Sequence, residues 1–155
     1  MAPISIDVGA VSRGDPASVF ALLKDGATWP RWSLFKGYEL IRPGPSDDPL
    51  GLGAVRAFIT QVSKATEEIV EVIPDRRLSY ILLAGFPFVG YRADVDLAPA
   101  PGGGTAIRWR ANFRARYLSW FWKAFMTSAL QNVATALARA AEDPLTVASA
   151  ARTDS

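Results

Sequence analysis

The chain contains neither histidine nor cysteine, and together these absences remove most of the ordinary catalytic repertoire. No Ser-His-Asp or Cys-His arrangement can be built, no imidazole can act as a general base, and zinc would need an unusual all-carboxylate shell. No metal and no cofactor is therefore expected. The lack of cysteine also excludes disulfides. A strong excess of one charge is missing as well: Lys+Arg 17 against Asp+Glu 15 leaves +2, which demands no nucleic-acid partner. No apolar run approaches the roughly 20 residues that span a bilayer, so integral membrane association is not expected. The start, MAPISIDVG, has neither a basic n-region nor an apolar h-region, which predicts a cytoplasmic protein.

What is present is enough apolar material for one core. With 155 residues and 50% hydrophobic content, the expectation is one domain over residues 1–142, as a monomer or weak homodimer. The tail, residues 143–155, has small polar residues without periodicity and is expected to be disordered. The most informative segment is Tyr117 to Glu142. At about 100° per residue, Leu118, Trp122, Phe125, Met126, Ala129, Val133, Leu137 and Ala140 share one face of a helix, with Lys123, Thr127, Gln131 and Thr135 opposite. Almost everything before it is strand-like, so this helix should lie across a curved antiparallel sheet, its bulky start and small-residue end packing at different depths. That geometry leaves room for a cavity.

Asp15-Pro16 opens an early helix, with Asp as N-cap and Pro at the first helical position, and Gly26 ends it. Trp29-Pro30-Arg31-Trp32 allows only a second short helical turn. Strands are expected at Ser5–Ser12, Phe35–Ile41, Ala54–Val62, Ala65–Ile73, Leu78–Ala84, Tyr91–Leu97 and Thr105–Phe113, making about seven in an α+β fold. Pairing Val95 with Trp109 and Tyr91 with Phe113 turns these four residues inward. It turns Asp94, Asp96, Arg108 and Arg110 outward, with Asp94 opposite Arg110 and Asp96 opposite Arg108. Across the turn at Asp75-Arg76, Ile73 is expected opposite Leu78, Glu71 opposite Tyr80 and Ile69 opposite Leu82. This register brings Tyr80, Glu71 and Glu67 inward and leaves Glu68 outside. Glu71 then has two readings, an acid–base partner of Tyr80 or a carboxylate that reaches solvent at a strand end. Asn132 could hydrogen-bond a ligand or a strand carbonyl. Trp120, on the polar side of the wheel, is either a rim residue or an exposed contact for a membrane surface or partner. Trp29 and Trp32 are either core residues or part of a cavity entrance.

The order strand, two short helices, antiparallel strands and long closing helix resembles the START-like (Bet v 1-like, SRPBCC, helix-grip) superfamily. DPASVFALLKDGATWPRWS, TEEIVEVIPDRRLSY, GFPFVGYRADVDL and GGGTAIRWRANF are similar to its polyketide cyclase/dehydrase and lipid-transport branch, over roughly residues 3–142. The resemblance implies an apolar cavity between sheet and C-terminal helix that holds a lipid, polyketide or aromatic compound. Its expected walls are Phe58, Glu67, Tyr80, Leu82, Tyr91, Val95, Trp109 and Phe113 from the sheet. The helices add Trp32, Trp122, Phe125, Ala129, Asn132 and Val133. Catalytic relatives orient a polyketide with Arg, Tyr and water, whereas the arginines of the last two strands here face outward. Binding is therefore the primary expectation. A cyclase or dehydratase using Tyr80 and Glu71 as proton donor and acceptor is the alternative, and a protein-interaction module the second alternative.

Overall fold

The computed structural model describes residues 1–153. Among them, seven strands form one antiparallel sheet: β1 (Pro3–Ser12), β2 (Gly37–Arg42), β3 (Val55–Ile59), β4 (Lys64–Ile73), β5 (Arg77–Ala84), β6 (Phe88–Pro99) and β7 (Thr105–Ala115). Their spatial order is β1-β7-β6-β5-β4-β3-β2. Between β1 and β2 lie α1 (Pro16–Lys24), a 3-10 turn (Gly26–Thr28) and α2 (Trp29–Trp32), and the chain closes with α3 (Ser119–Ala140) and α4 (Pro144–Thr153). This is the expected α+β helix-grip architecture, a curved sheet wrapped around a long helix.

Local chemistry explains the elements that hold the helix in place. In β1 the alternation of Ile4, Ile6 and Val8 with Ser5 and Asp7 puts the aliphatic side chains inside. Asp15 caps α1 by accepting a hydrogen bond from the Ser18 amide at 2.7 Å, and Val19, Phe20, Leu22 and Leu23 are buried. Gly26 has no room for a side chain, because a Cβ there would collide with the Tyr38 ring. Trp29 is a core residue: its Nε1 donates to the Leu22 carbonyl at 2.9 Å and its ring stacks on Phe58 at 4.3 Å. The long helix α3 rests on β1 and β7. It is pinned there by Gln131 Nε2 donating to the Gly9 carbonyl at 2.9 Å and by Ser12 Oγ donating to the Ala138 carbonyl at 2.6 Å.

Several expectations are corrected. The tail is not free of structure through residue 153: α4 occupies Pro144–Thr153 and packs against α1, with Ala150 fully buried. Its start repeats the Asp-Pro chemistry of α1. Asp143 accepts from the Leu145 amide at 3.1 Å and from Thr146 Oγ1 at 2.8 Å. Residues 154 and 155, the end of the segment expected to be disordered, lie outside the described residues. Leu118 does not share the buried face of α3; it is the N-cap residue, left-handed at φ 55°, and exposed.

The β4–β5 register also differs. A bulge at Val70 separates Ile69, opposite Tyr80, from Glu71, opposite Ser79. The extra residue reverses the alternation downstream. Glu71 therefore faces outward, where Arg92 reaches it at 2.8 Å and Arg77 at 3.6 Å, and it cannot serve as the acid–base partner of Tyr80. Glu67 stays inside and Glu68 outside, the latter paired with Arg42 at 2.8 Å. On β6 and β7 the expected face assignment holds, but the ion pairs run diagonally instead of straight across. Arg110 binds Asp96 at 2.8 Å and Arg108 binds Asp7 of β1 at 2.6 Å, whereas Asp94 accepts from the directly opposite Ser79 Oγ at 2.6 Å. Strand twist brings such diagonal neighbours within reach of long side chains.

Candidate functional site

Between α3 and the β4–β5 side of the sheet lies a cavity of about 670 Å³, within the range of small-molecule pockets. Its walls come from four places. The α2 end supplies Trp32 and Phe35, and the β3–β4 turn supplies Thr60, Gln61 and Val62. The sheet supplies Ala65, Glu67, Tyr80, Leu82 and Tyr91, with Phe86 from the β5–β6 loop. Phe125, Met126, Ala129, Leu130, Asn132 and Val133 come from α3.

Most of the residues expected here are brought together, and the others have definite places. Trp32, Glu67, Tyr80, Leu82, Tyr91, Phe125, Ala129, Asn132 and Val133 all line the cavity. Phe58, Val95, Trp109 and Phe113 point inward but belong to the packed core and not to the wall. Trp122 flanks the site, in edge contact with Phe86 at 6.1 Å and Phe88 at 5.1 Å. Trp32 is held by its own hydrogen bond, Nε1 donating to Thr28 Oγ1 at 3.1 Å. Asn132 is exposed at the edge of the cavity and, among the described residues, bonds no strand carbonyl.

The polar depth of the site rests on a residue that the sequence reading passed over. Arg56 on β3 lies directly opposite Glu67 on β4 and is buried with it. Its Nε donates to Glu67 Oε1 at 2.7 Å and its Nη1 to the Leu23 carbonyl at 3.1 Å. The guanidinium also sits over the rings of Trp29 at 5.0 Å and Phe58 at 5.1 Å, so aromatic faces replace part of its lost hydration. Burial raises the Glu67 carboxyl above its ordinary value, and Arg56 offsets part of that shift. The signal for this pair was available, because registering β3 against β4 across the turn at 60–63 places an arginine opposite a glutamate.

Beside Glu67 stand two phenols. Trp109 Nε1 donates to Tyr80 Oη at 3.2 Å, and the Tyr80 and Tyr91 rings lie 6.2 Å apart. Burial pushes Tyr80 well above its ordinary value, helped by Tyr91 and Glu67, and burial likewise raises Tyr91. Both stay neutral at physiological pH. They can donate or accept hydrogen bonds to an enclosed molecule, but neither can act as a base.

The family model for "Polyketide cyclase / dehydrase and lipid transport" matches residues 3–142. The chain belongs to this family. Solved structures with the same fold include XoxI from Bacillus cereus, 17% identical, with a TM-score of 0.68 over 92% of this chain and 97% of the other. A START superfamily protein from Mycobacterium smegmatis is 12% identical, with a TM-score of 0.76 over 90% and 97%. Ara h 8.0201 is 18% identical, with a TM-score of 0.71 over 90% and 98%. No curated protein matches the chain. Membership in the polyketide cyclase/dehydrase and lipid-transport family agrees with a fold whose helix and sheet enclose a space for an apolar molecule. No helix among the described residues is long and apolar enough to cross a membrane.

Proposed function

We propose that the protein binds a hydrophobic small molecule, a lipid, polyketide or aromatic compound, in the cavity between the sheet and α3, and that it does so in the cytoplasm. The observation that carries this reading is the 670 Å³ space itself, walled by Trp32, Phe35, Phe86 and Phe125 with Glu67, Tyr80 and Tyr91 among its polar groups. Affinity comes from removing apolar surface from water, at roughly 25 cal/mol per Å² before association costs. Orientation comes from the phenols and Glu67, which reward a ligand carrying a polar group at its buried end. The family match and the shared fold support this reading.

The test is occupancy and exclusion. Native mass spectrometry of freshly purified protein should detect an apolar passenger, and a fluorescent hydrophobic probe should bind the emptied protein. Ala129→Trp fills the cavity from α3 and should lower probe affinity at least tenfold with an unchanged circular dichroism spectrum. Undiminished binding by the folded variant would place the ligand elsewhere. One observation favours a second reading, acid–base catalysis: Glu67 lies in the cavity wall with its carboxyl held above its ordinary value by burial, whereas Glu71 faces outward to Arg92. Turnover of a carbonyl substrate that is lost in Glu67→Gln, with ligand binding retained, would establish that reading.

A further inference from the structure

Between Asp96 and Glu142 the sequence has no carboxylate side chain, yet it carries Arg108, Arg110, Arg114, Arg116, Lys123 and Arg139. Arg108 and Arg110 are taken by Asp7 and Asp96. Among the described residues Arg114, Arg116 and Lys123 form no ion pair. All three are exposed and lie at the corner where β7 hands over to α3. At the same corner the chain exposes Tyr117 (71%), Trp120 (73%), Phe121 and Leu118, and Val89, the cross-strand partner of Arg114, is exposed as well. The guanidinium of Arg116 lies 5.6 Å from the Tyr117 ring. Leu118 holds a left-handed backbone that non-glycine residues rarely adopt, so these aromatics are presented outward by a defined turn.

We infer that this corner is a docking surface for an anionic lipid bilayer. Tyrosine and tryptophan, with an apolar body and a polar edge, suit the zone between headgroups and acyl chains. Unpaired arginines and a lysine beside them supply attraction to negatively charged headgroups. The charge complementarity favours a membrane over an apolar groove on a protein, because nothing in this stretch offers the carboxylates that a protein interface of mixed sign would use. The patch also adjoins the cavity: Phe121 stacks at 6.0 Å on Phe125, which is part of the cavity wall. Docking there brings that wall close to the bilayer. The surface does not depend on what the cavity holds.

The experiment is co-sedimentation of the full chain with sucrose-loaded vesicles of phosphatidylcholine alone or with about one-third phosphatidylglycerol. Binding to the anionic vesicles is expected, with little to the neutral ones and most of it lost in 0.5 M salt. Arg114→Gln and Arg116→Gln should each weaken it about fivefold. Trp120→Ala should weaken it comparably and abolish a blue shift of tryptophan emission on vesicle addition. None of these residues lines the cavity, so binding of the fluorescent probe should be unchanged, which separates failure of this inference from failure of the cavity reading. Absence of vesicle binding by the parent, or binding by the Trp120→Ala and arginine variants as strong as the parent's, overturns the proposal. So does a parent dimer, seen by light scattering, that Trp120→Ala converts to monomer without affecting vesicle binding; the patch would then be an interface between copies.

Discussion

Arg56 and Glu67 are stable inside the protein because each compensates the other, and the cost of breaking such a pair falls mostly on the partner left behind. Arg56→Met should destabilise the fold by about 3 to 5 kcal/mol, whereas Arg56→Met combined with Glu67→Leu should cost much less; urea unfolding of both variants checks this. The pH dependence has a definite sign. The folded state holds the Glu67 proton more tightly than the unfolded chain, where its ordinary value is 4.5. This contribution to stability is complete below 4.5 and is lost as pH rises through the higher folded value. The stability of the parent minus that of Glu67→Gln should therefore fall as pH increases from 4.5, followed by thermal melts. A difference that rises instead would mean that Arg56 outweighs burial. At this scale the sequence was partly legible. Strand alternation told which side chains point inward, so Tyr80, Tyr91 and Glu67 were found. It could not tell depth: Trp109 and Phe113 share the inward face with Tyr91, yet α3 rests on their side of the sheet and seals them into the core.

Elements were read best where chemistry at their ends is local. Asp15-Pro16 announced α1 because capping involves residues three positions apart and nothing more distant. Asp143-Pro144 carries the same signature, but the small residues after it have no apolar periodicity and read as a tail; their small size is what lets α4 lie close enough to α1 to bury Ala150. Asp143→Ala should loosen α4, at a cost of about 0.5 to 2 kcal/mol, and hydrogen exchange should report faster amides after Asp143 with little change in β1–β7. The β4–β5 register departs from strict alternation for a different reason. TEEIVEVI alternates acceptably with or without an extra residue, and the choice is made by what Leu78 and Tyr80 must pack against, which is non-local information.

Over the whole molecule, the cavity exists because α3 is closely seated at one end and held off at the other. Ala134 and Ala138 let the helix approach β1, where Ser12 and Gln131 fasten it. Trp122 and Phe125 near its start pack against Phe86 and Phe88 and hold it away from β4 and β5. The curvature of the sheet completes the enclosure, and the bulge at Val70 contributes to it, since bulged strands bend. That bulge makes the domain tolerant to a length change of a particular kind. Losing the single codon for Val70 would leave Ile69 still opposite Tyr80 and Glu71 still opposite Ser79, now in a continuous ladder from Glu67 to Ile73 beyond the second irregularity at Leu83 of β5, so no side chain changes sides. The shortened protein should fold with an undiminished melting temperature, yet bind bulky probes less well than slender ones, because a straighter β4 encloses less room. Removing a residue two positions earlier has the opposite consequence: without Glu68, alternation would carry Glu67 away from Arg56 or Ile69 out of the core. A deletion scan along β4, read by solubility and probe size, should show one permissive position flanked by forbidden ones, and such a position is where the volume of the container could be changed without rebuilding its walls.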